Sequence, residues 1–314
     1  MGWIGCADLA EAEQRDIAAV PSTVFAGGFP VPGAQEPDTP HGARTDCRAP
    51  RRRRMTAPHP GGTAGRGLST EFVGTGPSIG LLHGFTQTGR SWGRFGELLA
   101  SHRQLCCVDL PGHGAAAEVR WGLDRTADEL AGRGPMDWLG YSLGGRHALT
   151  LAVRHPTAVR SLVLIGATPG LETDEERVER RAADAELARK IRRIGVEAFL
   201  DEWLRGPLFA GLPDDAAGRS ERLRNTVDGL AASLELAGTG AQIPVWDRLA
   251  DLAMPVLLVT GSLDTKFTDI ARRMAELVPD VRHVVIADAG HAAHLERPEA
   301  VAESVLEFLA RPRT

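Results

Sequence analysis

The fold is decided by DWLGYSLGGRHALTLAVRHP, residues 137–156. A short apolar run of strand character stops at Gly140, a serine follows between glycines, and from Leu143 the apolar spacing becomes helical. Gly140, Tyr141, Ser142, Leu143 and Gly144 match G-x-S-x-G in the strand–turn–helix setting that this pattern requires. Such a turn is strained and needs glycines because backbones pass closely. It holds the Ser142 hydroxyl at the top of a sheet. It also puts the Leu143 N–H at a helix N-terminus, aimed at developing negative charge. A serine in an ordinary glycine-rich turn is the alternative, and the flanking elements outweigh it.

Outward from this turn the chain alternates strands and helices. SIGLLHGF, QLCCVDLPGHG, VRSLVLIGAT, MPVLLVTGSLD and VRHVVIADAGH read as strands, and RFGELLASH, FTDIARRMAELVP and PEAVAESVLEFLARP as helices. The strands are short, continuous and β-branched, as when crossover helices bury both faces. The fold class is therefore α/β, an open, mostly parallel sheet. Residues 169–244 interrupt the alternation. TDEERVERRAADAELARKIRRIGVEAFLDEWL and ERLRNTVDGLAASLELAG are helical in period, with no strand between them. They read as a helical cap inserted into a core of residues 70–168 and 245–314.

A serine hydroxyl needs a partner base. In this architecture the order is serine, acid, histidine. Asp264 and His291 each follow a strand, at the sheet edge where open α/β folds place their sites. Asp264 would orient the imidazole, and His291 would take the proton from Ser142. Asp269 and Asp288 compete for the acid role, although Asp288 precedes the histidine too closely to lie across from it. His294 is a further candidate base, expected to cap or contact the surface. LLHGFTQTG offers a second oxyanion donor, the N–H of Phe85, while His83 and His113 read as structural. The remaining histidines show no metal-ligand spacing.

The 314 residues carry a formal net charge of −5, 43% hydrophobic and 25% charged residues, which suits a large core and argues against nucleic-acid or membrane-surface binding. No apolar run is long enough to span a bilayer. Cys6, Cys47, Cys106 and Cys107 show neither zinc spacing nor a disulfide framework, so a reducing cytoplasm fits best. Cys106 and Cys107 are neighbours in a strand and should point to opposite faces. Residues 1–69 are rich in Pro, Gly and Arg without periodicity and read as a disordered tail. Its four arginines at residues 51–54 lack the apolar stretch of an export signal. No phosphate loop or metal set emerges, and no cofactor is expected.

Several segments together resemble the 2-succinyl-6-hydroxy-2,4-cyclohexadiene-1-carboxylate synthase family of the menaquinone pathway, within the α/β-hydrolase fold. They are LHGFTQTGRSW, VDLPGHG, GYSLGGRHAL, TPGLETDEERVERRAAD, FLDEWLRGPLFAGL, LRNTVDG, GSLDTKF and AGHAAHLERP. The resemblance implies a lyase that abstracts a proton and eliminates pyruvate from an anionic cyclohexene precursor, with Ser142, His291 and Asp264 as the base system. Three carboxylates on the substrate call for cations. Arg146, one turn after Ser142, can lean back to the pocket. Arg180 and Arg224 match the family's other carboxylate-binding positions, and Arg177 could substitute for Arg180. Tyr141 and Trp203 would line the pocket, unless Trp203 merely packs cap on core. Lys266 and Phe267 would shape it. The tail and the run AAAEVRWGLDRTADEL, read as a loop poor in apolar residues, depart from the family pattern.

A serine hydrolase acting on an ester or on a carbon–carbon bond beside a ketone would use the same triad. An apolar ester would not need three converging arginines. Epoxide hydrolases and dehalogenases of this fold use an aspartate where Ser142 stands. A silent binding protein would have no need for Ser142, Asp264 and His291 together. Fold alone does not decide among these.

Overall fold

The computed structural model describes residues 67–311. The tail reading over residues 1–69, apart from its last three residues, and the readings at Cys6, Cys47, His41, His59 and the arginines at residues 51–54 lie outside the described residues. Seven strands form one sheet: β1 (Thr70–Val73), β2 (Ser78–Leu82), β3 (Gln104–Val108), β4 (Met136–Tyr141), β5 (Val159–Ile165), β6 (Val256–Gly261) and β7 (Val281–Ile286). Their order is β1-β3-β2-β4-β5-β6-β7. All neighbours are parallel except β1, which runs antiparallel along β3.

Helices α1 (Gly93–Ala100), α2 (Leu123–Ala131), α3 (Leu143–Arg154), α7 (Thr265–Leu277), α8 (Ala293–Glu296) and α9 (Pro298–Leu309) accompany the sheet. Side-chain alternation divides the core into two layers. Leu82, Cys106, Trp138, Leu164 and Leu258 face α2, α3 and α7. Leu81, Cys107, Leu139, Ile165 and Val259 face α1 and α9. The adjacent cysteines thus lie on opposite faces, both free. All six residues of β4 are buried. Each large apolar side chain so buried contributes about 1.5–3 kcal/mol. Gly80 is required by this packing, since a Cβ there would lie 2.3 Å from the Trp138 ring.

Two elements differ from the sequence reading. β1 is a four-residue edge strand with Phe72 and Val73 exposed, too short and too solvated to show alternation. α2 occupies the stretch read as a loop. Its buried Leu123, Thr126, Ala127 and Leu130 follow the i, i+3, i+4, i+7 spacing, but only two of the four are strongly apolar.

Between β5 and β6 the chain forms α4 (Asp174–Trp203), α5 (Arg219–Arg222) and α6 (Val227–Ala237). α4 opens with a capping box between Thr173 and Glu176 and is broken at Gly195, where φ is 80°. Its inner face, through Leu187, Ile191 and Phe199, packs on Leu230, Ala231 and Leu234 of α6. No helix among the described residues is long and apolar enough to cross a membrane.

Candidate active site

Ser142 sits between β4 and α3 with φ 50° and ψ −110°, outside the regions that L-residues favour. Two bonds hold the turn: Ser142 N donates to Ile165 O at 2.9 Å, and Arg146 N to Ser142 O at 3.1 Å. The flanking glycines are sterically obligatory. A Cβ on Gly140 would lie 2.3 Å from Gly144 O, and one on Gly144 would lie 1.9 Å from Leu82 O.

His291 follows β7 and places Nε2 3.0 Å from Ser142 Oγ and Nδ1 2.8 Å from Asp264 Oδ2. A carboxylate only accepts, so Nδ1 carries the proton and Nε2 is left to accept from the serine. Asp264 caps α7, its Oδ1 accepting from Phe267 N at 3.3 Å. Both side chains are nearly buried. Gly166 makes room for the imidazole, since a Cβ there would stand 2.9 Å from His291 Cε1. The Phe267 ring packs beside it, centroids 4.5 Å apart.

The loop after β2 supplies Phe85. Gly84 O accepts from His83 Nδ1 at 2.8 Å and from Gln87 N at 3.2 Å. In a trans peptide the Phe85 N–H must then point the other way. It donates to no acceptor among the described residues. Leu143 opens α3, where a first-turn N–H has no intrahelical partner. Phe85, Leu143, Ser142 and His291 all line one cavity of about 430 Å³.

His83 in this loop and His113 in the loop after β3 are buried as neutral rings. Each accepts a backbone N–H at Nε2, from Leu110 at 3.1 Å and from Thr86 at 3.3 Å. Each meets a carbonyl at Nδ1, Gly84 O and Pro111 O. Burial pushes their pKa values down to about 4 and about 3.

Cations reach the cavity from three elements. Arg146 lies on α3, Arg180 on α4 and Lys266 on α7. Arg146 is 8% exposed and donates through Nη1 to Ala237 O at 2.7 Å. Arg180 Nε donates to the buried Asp184 at 2.9 Å. Four acids line the cavity as well: Asp184 holds Arg180, Glu176 belongs to the capping box, Glu202 pairs with Lys190, and Glu179 stands one residue before Arg180. Trp203 lines the cavity and also packs between Phe199 of the insertion and Phe85 of the loop after β2, so it serves both roles read for it. No cluster of potential metal ligands occurs among the described residues.

The alpha/beta hydrolase fold family matches residues 77–298. A Bacillus subtilis (strain 168) protein provisionally named 2-succinyl-6-hydroxy-2,4-cyclohexadiene-1-carboxylate synthase is 37% identical over 257 residues, covering 77% of this chain and 93% of that one. The synthase of that name from Salmonella paratyphi C is 35% identical over 242 residues, covering 74% and 94%. The chain belongs to this synthase family. Among solved structures, MenH from S. aureus aligns with TM-score 0.72 at 28% identity, over 76% of this chain and 97% of that one. A malate-bound thermophilic esterase from Thermogutta terrifontis aligns with TM-score 0.66 at 27% identity, over 77% and 92%.

Two residues that the resemblance put in the pocket, Arg224 and Tyr141, lie outside it, and His294 is not where the sequence reading put it. Arg224 is half-exposed, 3.6 Å from Glu221, and does not line the cavity. Arg222, two positions earlier, is 1% exposed and bonds to the Phe85 loop. Residues two apart at a helix end point apart, and the string RLRN gives no sign of which arginine turns inward. Tyr141 lies behind the triad, 4.4 Å from the His294 ring and 5.4 Å from His291, and does not line the cavity. Its position forbids a Cβ at Gly84. His294, expected at the surface, is fully buried among Trp92, Phe95 and Tyr141 with neither ring nitrogen hydrogen-bonded. Arg177 binds Leu171 O and Glu172 O at the start of α4, leaving Arg180 as the cavity arginine of that pair. Asp269 pairs with Arg272 on the surface and Asp288 N with Ser262, so neither competes with Asp264.

Proposed function

We propose that this chain is a carbon–oxygen lyase of menaquinone biosynthesis. It would convert 2-succinyl-5-enolpyruvyl-6-hydroxy-3-cyclohexene-1-carboxylate to 2-succinyl-6-hydroxy-2,4-cyclohexadiene-1-carboxylate and pyruvate. The observation that carries this reading is the triad opening into a cavity where Arg146, Arg180 and Lys266 converge from separate elements. Three cations suit a substrate with three carboxylates, and a guanidinium matches a carboxylate bidentately. Membership of the synthase family supports the same substrate.

The change from a 3-ene to a 2,4-diene defines the chemistry. C2 loses a proton and C5 loses the enolpyruvyl oxygen. The C2 proton is acidic because it lies beside the succinyl ketone. Ser142 Oγ takes it as the serine proton passes to His291 Nε2, and Asp264 stabilises the resulting imidazolium. The ketone oxygen becomes an enolate, faced by the N–H groups of Phe85 and Leu143. As the enolate collapses, C2=C3 and C4=C5 form and the C5–O pair leaves with enolpyruvate, which takes up a proton and tautomerises to pyruvate. The helical segment of residues 169–244 acts as a cap that excludes water and supplies Arg180. No cofactor takes part. A cytoplasmic location is supported by the free, buried thiols of Cys106 and Cys107.

The competing reading is ester hydrolysis, favoured by the likeness to the Thermogutta esterase. An assay with the enolpyruvyl precursor separates the two. Wild type should release pyruvate and gain diene absorbance, and Ser142→Ala and Arg146→Ala should suppress both. Absence of pyruvate, with Ser142-dependent cleavage of a p-nitrophenyl ester, would replace the lyase by the hydrolase.

A further inference from the structure

The loop that carries Phe85 contains a conformational conflict. Thr86 has φ 65°, a left-handed conformation that a β-branched residue adopts only when its surroundings enforce it. All three of its polar groups are occupied. Its N–H donates to His113 Nε2 at 3.3 Å. Its carbonyl accepts from Asn225 Nδ2 at 2.6 Å. Its hydroxyl accepts from Arg222 Nη1. Two of the three partners belong to the helical insertion between β5 and β6, more than a hundred residues away in sequence.

Arg222 is unusual in its own right. It is almost completely buried, yet no carboxylate pairs with it among the described residues. Its donors go to neutral oxygens: Ala217 O at 2.7 Å, Phe85 O at 3.4 Å and the Thr86 hydroxyl. Taking a guanidinium out of water without an acid is costly, so a charge kept there needs a reason. Asn225 is as tightly committed, its Oδ1 accepting from Gly114 N at 2.9 Å. That bond anchors it to the loop bearing His113.

We infer that Arg222 and Asn225 are positioning residues for the oxyanion site. They hold the strained turn at Thr86 so that the Phe85 N–H stays aimed into the cavity beside Ser142. The buried Arg222 charge also sits 3.4 Å from the Phe85 carbonyl, in a dry environment that leaves it unscreened. The inference rests on the proposed role of Phe85 as an oxyanion donor. It does not depend on which substrate is used, because both an enolate and a tetrahedral intermediate need that donor.

The test measures two reactions of the full chain, elimination from the enolpyruvyl precursor and hydrolysis of p-nitrophenyl acetate. Arg222→Met, checked by circular dichroism for folding, should lower kcat for both by ~10²–10³-fold while the elimination KM changes by less than about threefold. The neutral ester has no carboxylate for an arginine to bind. A loss confined to elimination, or carried by KM alone, would make Arg222 a carboxylate ligand and overturn the inference. So would a folded variant with unaltered kcat. Thr86→Gly and Thr86→Ala give a second arm that survives if Arg222→Met does not fold. Both remove the hydroxyl, but glycine adopts φ 65° without strain, so Thr86→Gly should retain several-fold more activity than Thr86→Ala. Alanine matching or exceeding glycine would show that no strain is being held. If wild type releases no pyruvate but ester hydrolysis still responds to Arg222, the lyase reading fails and the positioning role stands.

Discussion

Arg146 Nη1 donates to the Ala237 carbonyl at 2.7 Å, tying the helix that begins at the nucleophile to the last turn of α6. The same junction receives α4. Asp184 Oδ2 accepts from Gly240 N at 3.4 Å while Oδ1 holds Arg180 Nε at 2.9 Å. A Cβ on Gly238 would lie 2.3 Å from Asp184 Oδ2, so this turn is glycine because the acid needs the space. One turn thus fixes the spacing of two cavity arginines. Arg146→Met and Arg180→Met should each raise KM for the enolpyruvyl precursor by about 10-fold or more, the value of a lost charge-assisted bond. Asp184→Asn should raise KM in the same direction by freeing Arg180. Steady-state kinetics on pyruvate release reads all three, and an unchanged KM in Arg180→Met would remove that residue from the substrate site.

The triad makes a prediction that does not depend on the leaving group. Ser142→Ala should lower kcat by about 10²–10⁴-fold with little change in KM, because the serine moves a proton only on the way to the transition state. Asp264→Asn should be comparably damaging, since an amide can present its N–H to Nδ1 and favour the wrong imidazole tautomer. Retained activity in Asp264→Asn would mean that the ring orientation is set by Phe267 and Gly166 instead.

Gly144 tests the steric account of the elbow. Its missing Cβ is the space that the Leu82 carbonyl fills. Gly144→Ala should therefore destabilise the chain by about 3 kcal/mol or more, since backbone on both sides must move. Urea unfolding of the variant beside wild type measures this. A shift below about 1 kcal/mol would show that the turn relaxes easily.

Much of this site was legible because its parts are local. The G-x-S-x-G turn declares itself through flanking periodicity, and Asp264 and His291 through their positions after strands. What was not legible depends on contacts between distant segments. Nothing in ERLRNTVDG says that Arg222 turns inward and Arg224 outward; the Phe85 loop decides that. Nothing in AGHAAHLERP says that His294 is enclosed, because Trp92 and Phe95 come from the N-cap and first turn of α1. Tyr141 sits next to the nucleophile, yet strand alternation sends it behind Ser142, where its ring packs against His291 and His294. β1 escaped because an exposed four-residue edge strand carries no hydrophobic pattern of its own.

The buried histidines set how the fold responds to acid. Burial lowers the pKa of His83 to about 4 and of His113 and His294 to about 3, and drives His147 well below its ordinary value. In the unfolded chain these rings titrate near the ordinary 6.5. Between that value and the folded ones, the unfolded state binds more protons than the native state. Stability is therefore fully present above pH 6.5 and is lost as pH falls towards 4, by about 1.4 kcal/mol per pH unit for each histidine. His294 isolates one of these terms, because neither of its ring nitrogens is hydrogen-bonded and the ring can be replaced without orphaning a partner. His294→Leu should leave stability at pH 7.5 within about 1–2 kcal/mol of wild type, the lost packing being offset by removal of two desolvated nitrogens. It should also reduce the slope of unfolding free energy against pH by one proton. Urea titrations at half-unit intervals from pH 7.5 to 4.5 measure that slope, and an unchanged slope would show that His294 is already protonated in the folded protein.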